Sequence, residues 1–252
     1  MQVFKSLYIH IPFCLSKCAY CDFFSKPVLS VPDSYVEALC NELSFRLDND
    51  DTNIETVYIG GGTPSLLTEH QITQIFSKIY FYVKRENIKE CTFEINPDDV
   101  TEKLLEVLYS FGVTRLSMGV QSFDNKVLSF CKRRADRKQI ERAFSIIEKN
   151  WEGELSIDLI SGLPYETECS FFEALNKVCK TKANHISLYS LTFEENTLMG
   201  KMLEEGKLNY DFDFSDSLWI KGRDFLKRNG FVQYEVSNFC KNNKVSFHNL
   251  NY

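Results

Sequence analysis

The chain has no excess of basic charge and no long apolar run. Its 252 residues carry 29 Lys and Arg against 35 Asp and Glu, a formal net charge of −6. The longest basic cluster is Lys132-Arg133-Arg134. A nucleic-acid-binding domain more often shows a basic patch or stripe, so nucleic acid is not an expected partner. No stretch approaches the roughly 18 consecutive apolar residues of a membrane span. The opening Met1-Gln2-Val3-Phe4-Lys5-Ser6 lacks the apolar core and cleavage site of a signal peptide. These absences make a soluble, cytoplasmic protein the expectation. Repeats, low-complexity tracts and Pro-, Gly- or Ser-rich linkers are missing too, so composition alone does not divide the chain.

What is present is an alternation of strands and helices. The hydrophobic fraction of 44% suits a sizeable core, and the length is about that of a single α/β barrel. Short β-branched runs predict strands at Leu7–Ile11, Thr56–Ile59, Cys91–Ile95, Arg115–Val120, Leu155–Ile160 and His185–Leu191. Helical periodicity predicts helices over Asp33–Leu47, Thr68–Tyr82, Thr101–Phe111, Asp136–Asn150 and Glu168–Lys180, with Asp33 and Thr68 as N-caps. Six such units with short connections imply parallel strands joined by right-handed crossovers. An open doubly wound sheet and a barrel both satisfy that pattern. After Leu191 it loosens to helices at Met199–Leu208 and Asp213–Asn229 and a strand at Phe231–Val236. We expect a core over 1–195 and a helix–helix–strand extension over 196–252. The abrupt ending at His248-Asn249-Leu250-Asn251-Tyr252 reads as that of a truncated piece, with the start of a C-terminal domain.

Nine cysteines in a reducing compartment point to metal or redox chemistry where they cluster. Six are scattered and read as small buried hydrophobes. Cys14, Cys18 and Cys21 stand together in one loop directly after the first strand. Three thiolates there suit a soft metal. Structural zinc needs four ligands, which a distant Cys40 or His248 would complete. A cluster that leaves one position open for a substrate or cofactor needs only three.

Other unusual polar residues follow the same logic. Gly60-Gly61-Gly62-Thr63-Pro64 follows the second strand and lacks the lysine of a phosphate-binding loop. Glu94 ends the third strand, Gln121 follows the fourth, Asp158 lies within the fifth and Thr192 follows the sixth. In parallel α/β folds ligands bind at the C-terminal edge of the strands, so one shared site is the economical reading. His10 reads as a packed or supporting group.

These residues resemble those of the radical S-adenosyl-L-methionine (SAM) superfamily. More narrowly, the chain resembles oxygen-independent coproporphyrinogen III oxidases and their relatives, the haem chaperones. The resemblance runs from Tyr8 to the last residue. It rests on Tyr8-Ile9-His10-Ile11-Pro12-Phe13-Cys14, the Cys14-xxx-Cys18-xx-Cys21 spacing with Tyr20 before the last cysteine, and Gly60-Gly61-Gly62-Thr63-Pro64-Ser65. It rests also on Glu94-Ile95-Asn96-Pro97, Gly119-Val120-Gln121-Ser122-Phe123 and Asp158-Leu159-Ile160-Ser161-Gly162-Leu163-Pro164. The resemblance implies a partial (β/α)6 barrel. It implies a 4Fe-4S cluster on Cys14, Cys18 and Cys21, with SAM on the fourth iron. Tyr8, Tyr20, Gly61, Gly62, Thr63, Glu94, Gln121, Arg133, Asp158 and Thr192 fall on cofactor-binding positions of that family. Reduction of the cluster would cleave SAM to methionine and a 5′-deoxyadenosyl radical.

Two departures favour the haem chaperone branch. The oxidases carry a further cysteine two residues after the third, where this chain has Phe23, and they have extra residues ahead of the first strand. Tyr234-Glu235-Val236-Ser237-Asn238-Phe239 followed by His248-Asn249-Leu250-Asn251-Tyr252 also matches that branch, in which the block's histidine is the expected haem contact. The resemblance thus implies haem as cargo, passed to acceptors such as respiratory cytochromes. It leaves open a peripheral membrane contact through those acceptors, and a dimer. The rival activity is oxidative decarboxylation of coproporphyrinogen III in porphyrin biosynthesis.

Overall fold

The computed structural model describes residues 5–48 and 53–251. Residues 1–4 of the N-terminal stretch and Tyr252 of the last block lie outside the described residues. Six parallel strands lie side by side in chain order: β1 Ser6–Ile11, β2 Thr56–Gly61, β3 Glu90–Ile95, β4 Arg115–Gln121, β5 Glu154–Ser161 and β6 His185–Ser190. Two short strands, β7 Val232–Gln233 and β8 Asn238–Cys240, extend the sheet beyond β6, with β8 antiparallel to β6. The sheet does not close on itself, and the fold is a partial (β/α)6 barrel.

Eight helices accompany these strands among the described residues: α1 Asp33–Leu47, α2 Glu69–Tyr82, α3 Glu102–Ser110, α4 Asn125–Phe130, α5 Arg137–Asn150, α6 Glu168–Cys179, α7 Leu198–Glu204 and α8 Phe212–Arg228. Their starts follow local chemistry. Thr68 accepts from the Gln71 amide while the Gln71 side chain returns to the Thr68 amide, and Asp136 with Gln139 repeats that reciprocal cap. Asp33 differs from expectation. Pro32 holds the cap position in an extended conformation, and Asp33 lies in the first turn accepting from Gln71 Nε2 at 2.7 Å. The strand expected over Phe231–Val236 reduces to β7, and β8 and α4 were not expected.

Strand periodicity separates two environments. Val57, Ile59, Phe93, Leu116, Met118, Leu155, Ile157, Ile186 and Leu188 are buried in the main core. The alternate positions carry Thr56 and Tyr58 on β2, Glu90, Thr92 and Glu94 on β3, and Arg115 and Ser117 on β4. They continue with Ser156 and Asp158 on β5, and His185, Ser187 and Tyr189 on β6. Fully covered parallel strands usually read as continuous apolar runs, so this polar face marks a lumen built to hold something.

The segment after β8 joins the two edges of the open sheet at the bottom. From the β6 side it runs back to the first residues of β3, β2 and β1. The Glu90 carboxylate accepts from Ser246 Oγ, Phe247 N and His248 N at 2.9–3.0 Å. His248 Nδ1 lies 3.0 Å from Thr56 Oγ1, and Asn251 Nδ2 donates to Ser6 Oγ at 2.8 Å. The extension thus forms part of one continuous sheet and the floor of its lumen. No helix among the described residues is long and apolar enough to cross a membrane.

Candidate functional site

The cysteine loop starts where Pro12 ends β1. Phe13–Cys14 pairs in parallel with Lys26–Pro27, with Lys26 N donating to Pro12 O and Val28 N to Cys14 O, both at 2.8 Å. The loop between them is therefore closed at its base. Its middle is held by Ala19, whose amide donates to Cys131 O and whose carbonyl accepts from Met199 N, both at 2.9 Å. The Ala19 side chain joins a second small core with Val127, Cys131, Ile160, Leu163, Leu191 and Met199.

The Gly-rich turn lies directly against this loop. Gly62 N donates to Ile11 O at 2.8 Å, and a Cβ on Gly62 would stand 2.6 Å from Phe13 O and 3.0 Å from Cys14 Sγ. Only glycine permits that approach. Gly61 has φ +117, and a Cβ there would meet the His10 ring at 2.7 Å.

A polar chain links two of the cysteines. Thr63 Oγ1 donates to Cys14 Sγ at 3.4 Å, and Asn96 Nδ2 donates to Thr63 Oγ1 at 3.3 Å. Arg133 Nη2 donates to Asn96 Oδ1 at 3.2 Å and to the Gly119 carbonyl, while Arg133 Nη1 lies 3.6 Å from Cys18 Sγ. Arg133 reaches this place because α4 ends in a left-handed turn at Lys132, φ 54. Gln121 is also left-handed, φ 69, at an irregularity in the β4–β5 register. For a non-glycine residue that conformation costs on the order of 1 kcal/mol and occurs preferentially at functional sites.

Burial sets the electrostatics. Glu94 accepts from Tyr58 OH at 2.7 Å and from Gly61 N at 2.9 Å, yet burial pushes its carboxyl up to about 7. Asp158 is raised by burial, against hydrogen bonds from Ser187 and Ser117. Burial holds the Tyr20 phenol well above its usual range, so it is a neutral donor. Burial also raises the Cys21 thiol, opposed by the Phe23 amide.

Twelve of the expected residues line one cavity of about 470 Å³: Cys14, Cys18, Cys21, Tyr20, Gly61, Gly62, Thr63, Glu94, Gln121, Arg133, Asp158 and Thr192. Tyr8 and His248 do not line it. Tyr8 bonds to His10 Nδ1 at 2.9 Å and packs on the Tyr58 ring at 5.9 Å. His248 is 2% exposed, with its ring 5.0 Å from that of Tyr58. Cys40, one of the two candidate fourth zinc ligands, lies on α1 with Sγ 3.8 Å from Gln74 O, so neither it nor His248 stands with the three cysteines. No three His, Cys, Asp or Glu among the described residues are gathered closely enough for a single ion. The cavity also includes Tyr58, Asn96, Arg115, Ser117, Ser187 and Tyr189, which sequence reasoning passed over. For all but Asn96, which follows β3, the signal was the polar alternation along β2, β4 and β6.

A cysteine loop, a Gly-rich turn and a polar lumen at the C-terminal edge of a partial barrel define a radical SAM protein. The profile of the radical SAM superfamily matches residues 8–178, and the chain belongs to that superfamily. Within it, the chain falls in the group that includes coproporphyrinogen oxidases and haem chaperones. It is 34% identical to the heme chaperone HemW of Lactococcus lactis over 100% of this chain and 66% of that protein. It is 34% identical to the HemW of Bacillus subtilis over 98% and 66%. The mouse mitochondrial radical S-adenosyl methionine domain-containing protein 1 is 32% identical over 98% and 57%. The chain thus spans less than two thirds of these relatives' length. The solved coproporphyrinogen III oxidase HemN of Escherichia coli shares the fold, with TM-score 0.84 and 24% identity over 95% of this chain and 56% of that one.

Membership implies a 4Fe-4S cluster and SAM. The residues present fit such a pair: three thiols at one cavity, a backbone cradle at Gly62, and buried Gln121 Oε1 and Arg133 Nε with no hydrogen-bond partner. Orphaned polar atoms facing a cavity are what a polar guest satisfies. Bound there, the pair would supply radical chemistry; the chain orients it and limits its contact with water.

Proposed function

We propose that this chain handles haem as a chaperone, binding it alongside a 4Fe-4S cluster and SAM and delivering it to acceptor proteins. The observation that carries the reading is the 34% identity to haem chaperones across essentially the whole chain. Phe23 supports it. The oxidase resemblance calls for a cysteine there, and here an aromatic ring, 71% exposed, stands at the cavity rim. A flat apolar ring is a natural platform for a porphyrin face.

In this reading Cys14, Cys18 and Cys21 ligate three irons and SAM takes the fourth. Glu94 accepts from the ammonium of SAM, Arg133 pairs with its carboxylate and Asp158 accepts from the ribose hydroxyls. Gly61, Gly62 and Thr63 let the methionine end approach the backbone. Tyr20, Gln121 and Thr192 complete the wall, and Tyr8 supports it through Tyr58. A haem contact by His248 requires the 246–251 segment to leave the lumen floor, and the proposal does not depend on it.

The test is anaerobic titration of haem into the cluster-reconstituted protein, with coproporphyrinogen III assayed in parallel. A saturable haem spectrum without vinyl product is expected. Robust decarboxylation of coproporphyrinogen III would move the protein to the oxidase branch.

A further inference from the structure

The lumen holds a charge that the cofactor reading does not use. Arg115 opens β4, lines the cavity and is 3% exposed. Its Nε and Nη1 are buried without a hydrogen-bond partner. The acidic groups of the lumen are engaged elsewhere. Glu90 accepts from Ser246, Phe247 and His248, Glu94 from Tyr58 and Gly61, and Asp158 from Ser117. His185 adds no second positive charge, since burial and Arg115 both favour its neutral form between Ser156 Oγ and Tyr234 OH.

A buried guanidinium without an acceptor is costly, and protein interiors normally pair such a group. The wall around it carries Ser117, Ser187, Ser246 and Asn249. Ser117 and Ser187 already donate to Asp158, and Ser246 to Glu90, so the unsatisfied donors at this place are the guanidinium's own. A planar guanidinium fork in a polar wall recognises an oxyanion and offers little to an apolar group. Arg115 lies four residues before Gly119, about 13 Å down the strand, whereas Arg133 bonds at Gly119 and Cys18. The two arginines therefore stand at opposite ends of one cavity. A single cation with Asp158 within its field suits a singly charged carboxylate better than a phosphate dianion.

We propose that Arg115 anchors a carboxylate subsite on the floor of the cavity, for a guest lying beneath SAM. The guest's position relative to SAM rests on the cofactor reading above; the subsite itself does not. The carboxylate comes either from a propionate arm of a tetrapyrrole or from a free small acid.

The test uses cluster-reconstituted wild type, Arg115→Gln and Arg115→Lys. Each is titrated anaerobically with haem and with haem dimethyl ester, which lacks free carboxylates. Stabilisation by succinate is followed by thermal melting. Arg115→Gln is expected to weaken haem about tenfold or more, Arg115→Lys to recover part of that, and the ester to bind all three alike. Unchanged haem binding with succinate stabilisation lost in Arg115→Gln assigns the subsite to a free acid. Variants that match wild type with every ligand overturn the proposal, as does a wild type that responds to none. Should Arg115→Gln not fold, Arg115→Lys decides, because it keeps the charge and loses the planar fork. SAM binding on the same samples separates the readings. A wild type that binds no SAM sinks the cofactor assignment, whereas a loss confined to carboxylates concerns Arg115 alone.

Discussion

The amide of Ala19 donates to the carbonyl of Cys131 at 2.9 Å, so the middle of the cysteine loop hangs from the end of α4. The Ala19 carbonyl holds Met199 in turn, which ties the loop to α7. One small residue between Cys18 and Cys21 thus fixes where both thiols stand. Its methyl is 3% exposed in a core separate from the main one. Ala19→Leu overpacks that small core, at roughly 1–3 kcal/mol, and leaves the main core intact. Iron bound per chain after reconstitution should fall severalfold while the far-ultraviolet circular dichroism stays native. Full iron loading in this variant would show that the loop's suspension is irrelevant to assembly.

The scattered cysteines predict a clean contrast. Cys14→Ala, Cys18→Ala and Cys21→Ala should each abolish the brown chromophore of the reconstituted protein. Cys40→Ala should keep it, because that thiol packs between α1 and α2 near Gln74 O. A brown, SAM-cleaving Cys18→Ala protein would count against the whole cluster assignment.

Glu94 is poised at neutrality. Burial lifts its carboxyl to about 7, and Tyr58 and Gly61 pull the other way. An ammonium guest prefers the ionised form, so SAM affinity should rise between about pH 6 and 8. Glu94→Gln should weaken SAM about tenfold at pH 8 and flatten the profile, given the worth of a charge-assisted bond. Calorimetric titration across that range checks both. A flat wild-type profile would remove Glu94 from the ammonium role.

Glu166 offers a stability readout outside the cavity lining. It accepts from Gly162 N at 2.8 Å, its other carboxyl oxygen is buried without a partner, and burial pushes it up to about 8. A carboxyl raised on folding contributes stability that is complete below its usual 4.5 and fades as pH rises through about 8. Wild type should therefore lose thermal stability from pH 6 to pH 9 relative to Glu166→Gln, which cannot ionise. Parallel curves for the two proteins would mean that Glu166 titrates normally.

The alternation of six strands and their helices was legible because it rests on local signals: β-branched runs, helical periodicity, and the cap at Thr68. The strand-end residues were legible for the same reason, since parallel strands carry their C-terminal ends to one edge. Asp33 misled because Pro32 already held the extended cap conformation. β8 was missed because it is only three residues long and exists through pairing with β6. Arg115 and Tyr58 were visible as polar residues at alternate strand positions, but they lie below the C-terminal strand ends at which parallel folds place their ligands. His248 was least legible. Its amide bonds to Glu90, 158 residues earlier, and nothing near it in sequence announces that partner.

That clamp leads to a prediction about the floor of the lumen. Glu90 is 3% exposed, and its carboxylate receives donors from three consecutive residues, Ser246, Phe247 and His248. Glu90→Ala orphans those donors at about 1–3 kcal/mol each where they stay buried, so the segment should release instead. Faster proteolysis at Lys241 or Lys244 and a lower melting temperature are expected. His248→Ala should lower the melting temperature too, through loss of the Thr56 contact and the packing on Tyr58. Burial holds the His248 imidazole below its usual range. Its contribution is therefore present above about pH 6.5 and lost as pH falls below that value, so the melting difference between wild type and His248→Ala should narrow in acid. Haem affinity, measured at a temperature where both variants are folded, should be unchanged in His248→Ala if the residue serves only the floor. Stronger haem binding in Glu90→Ala, lost again when His248→Ala is added, would instead show that the imidazole leaves the floor to meet the haem.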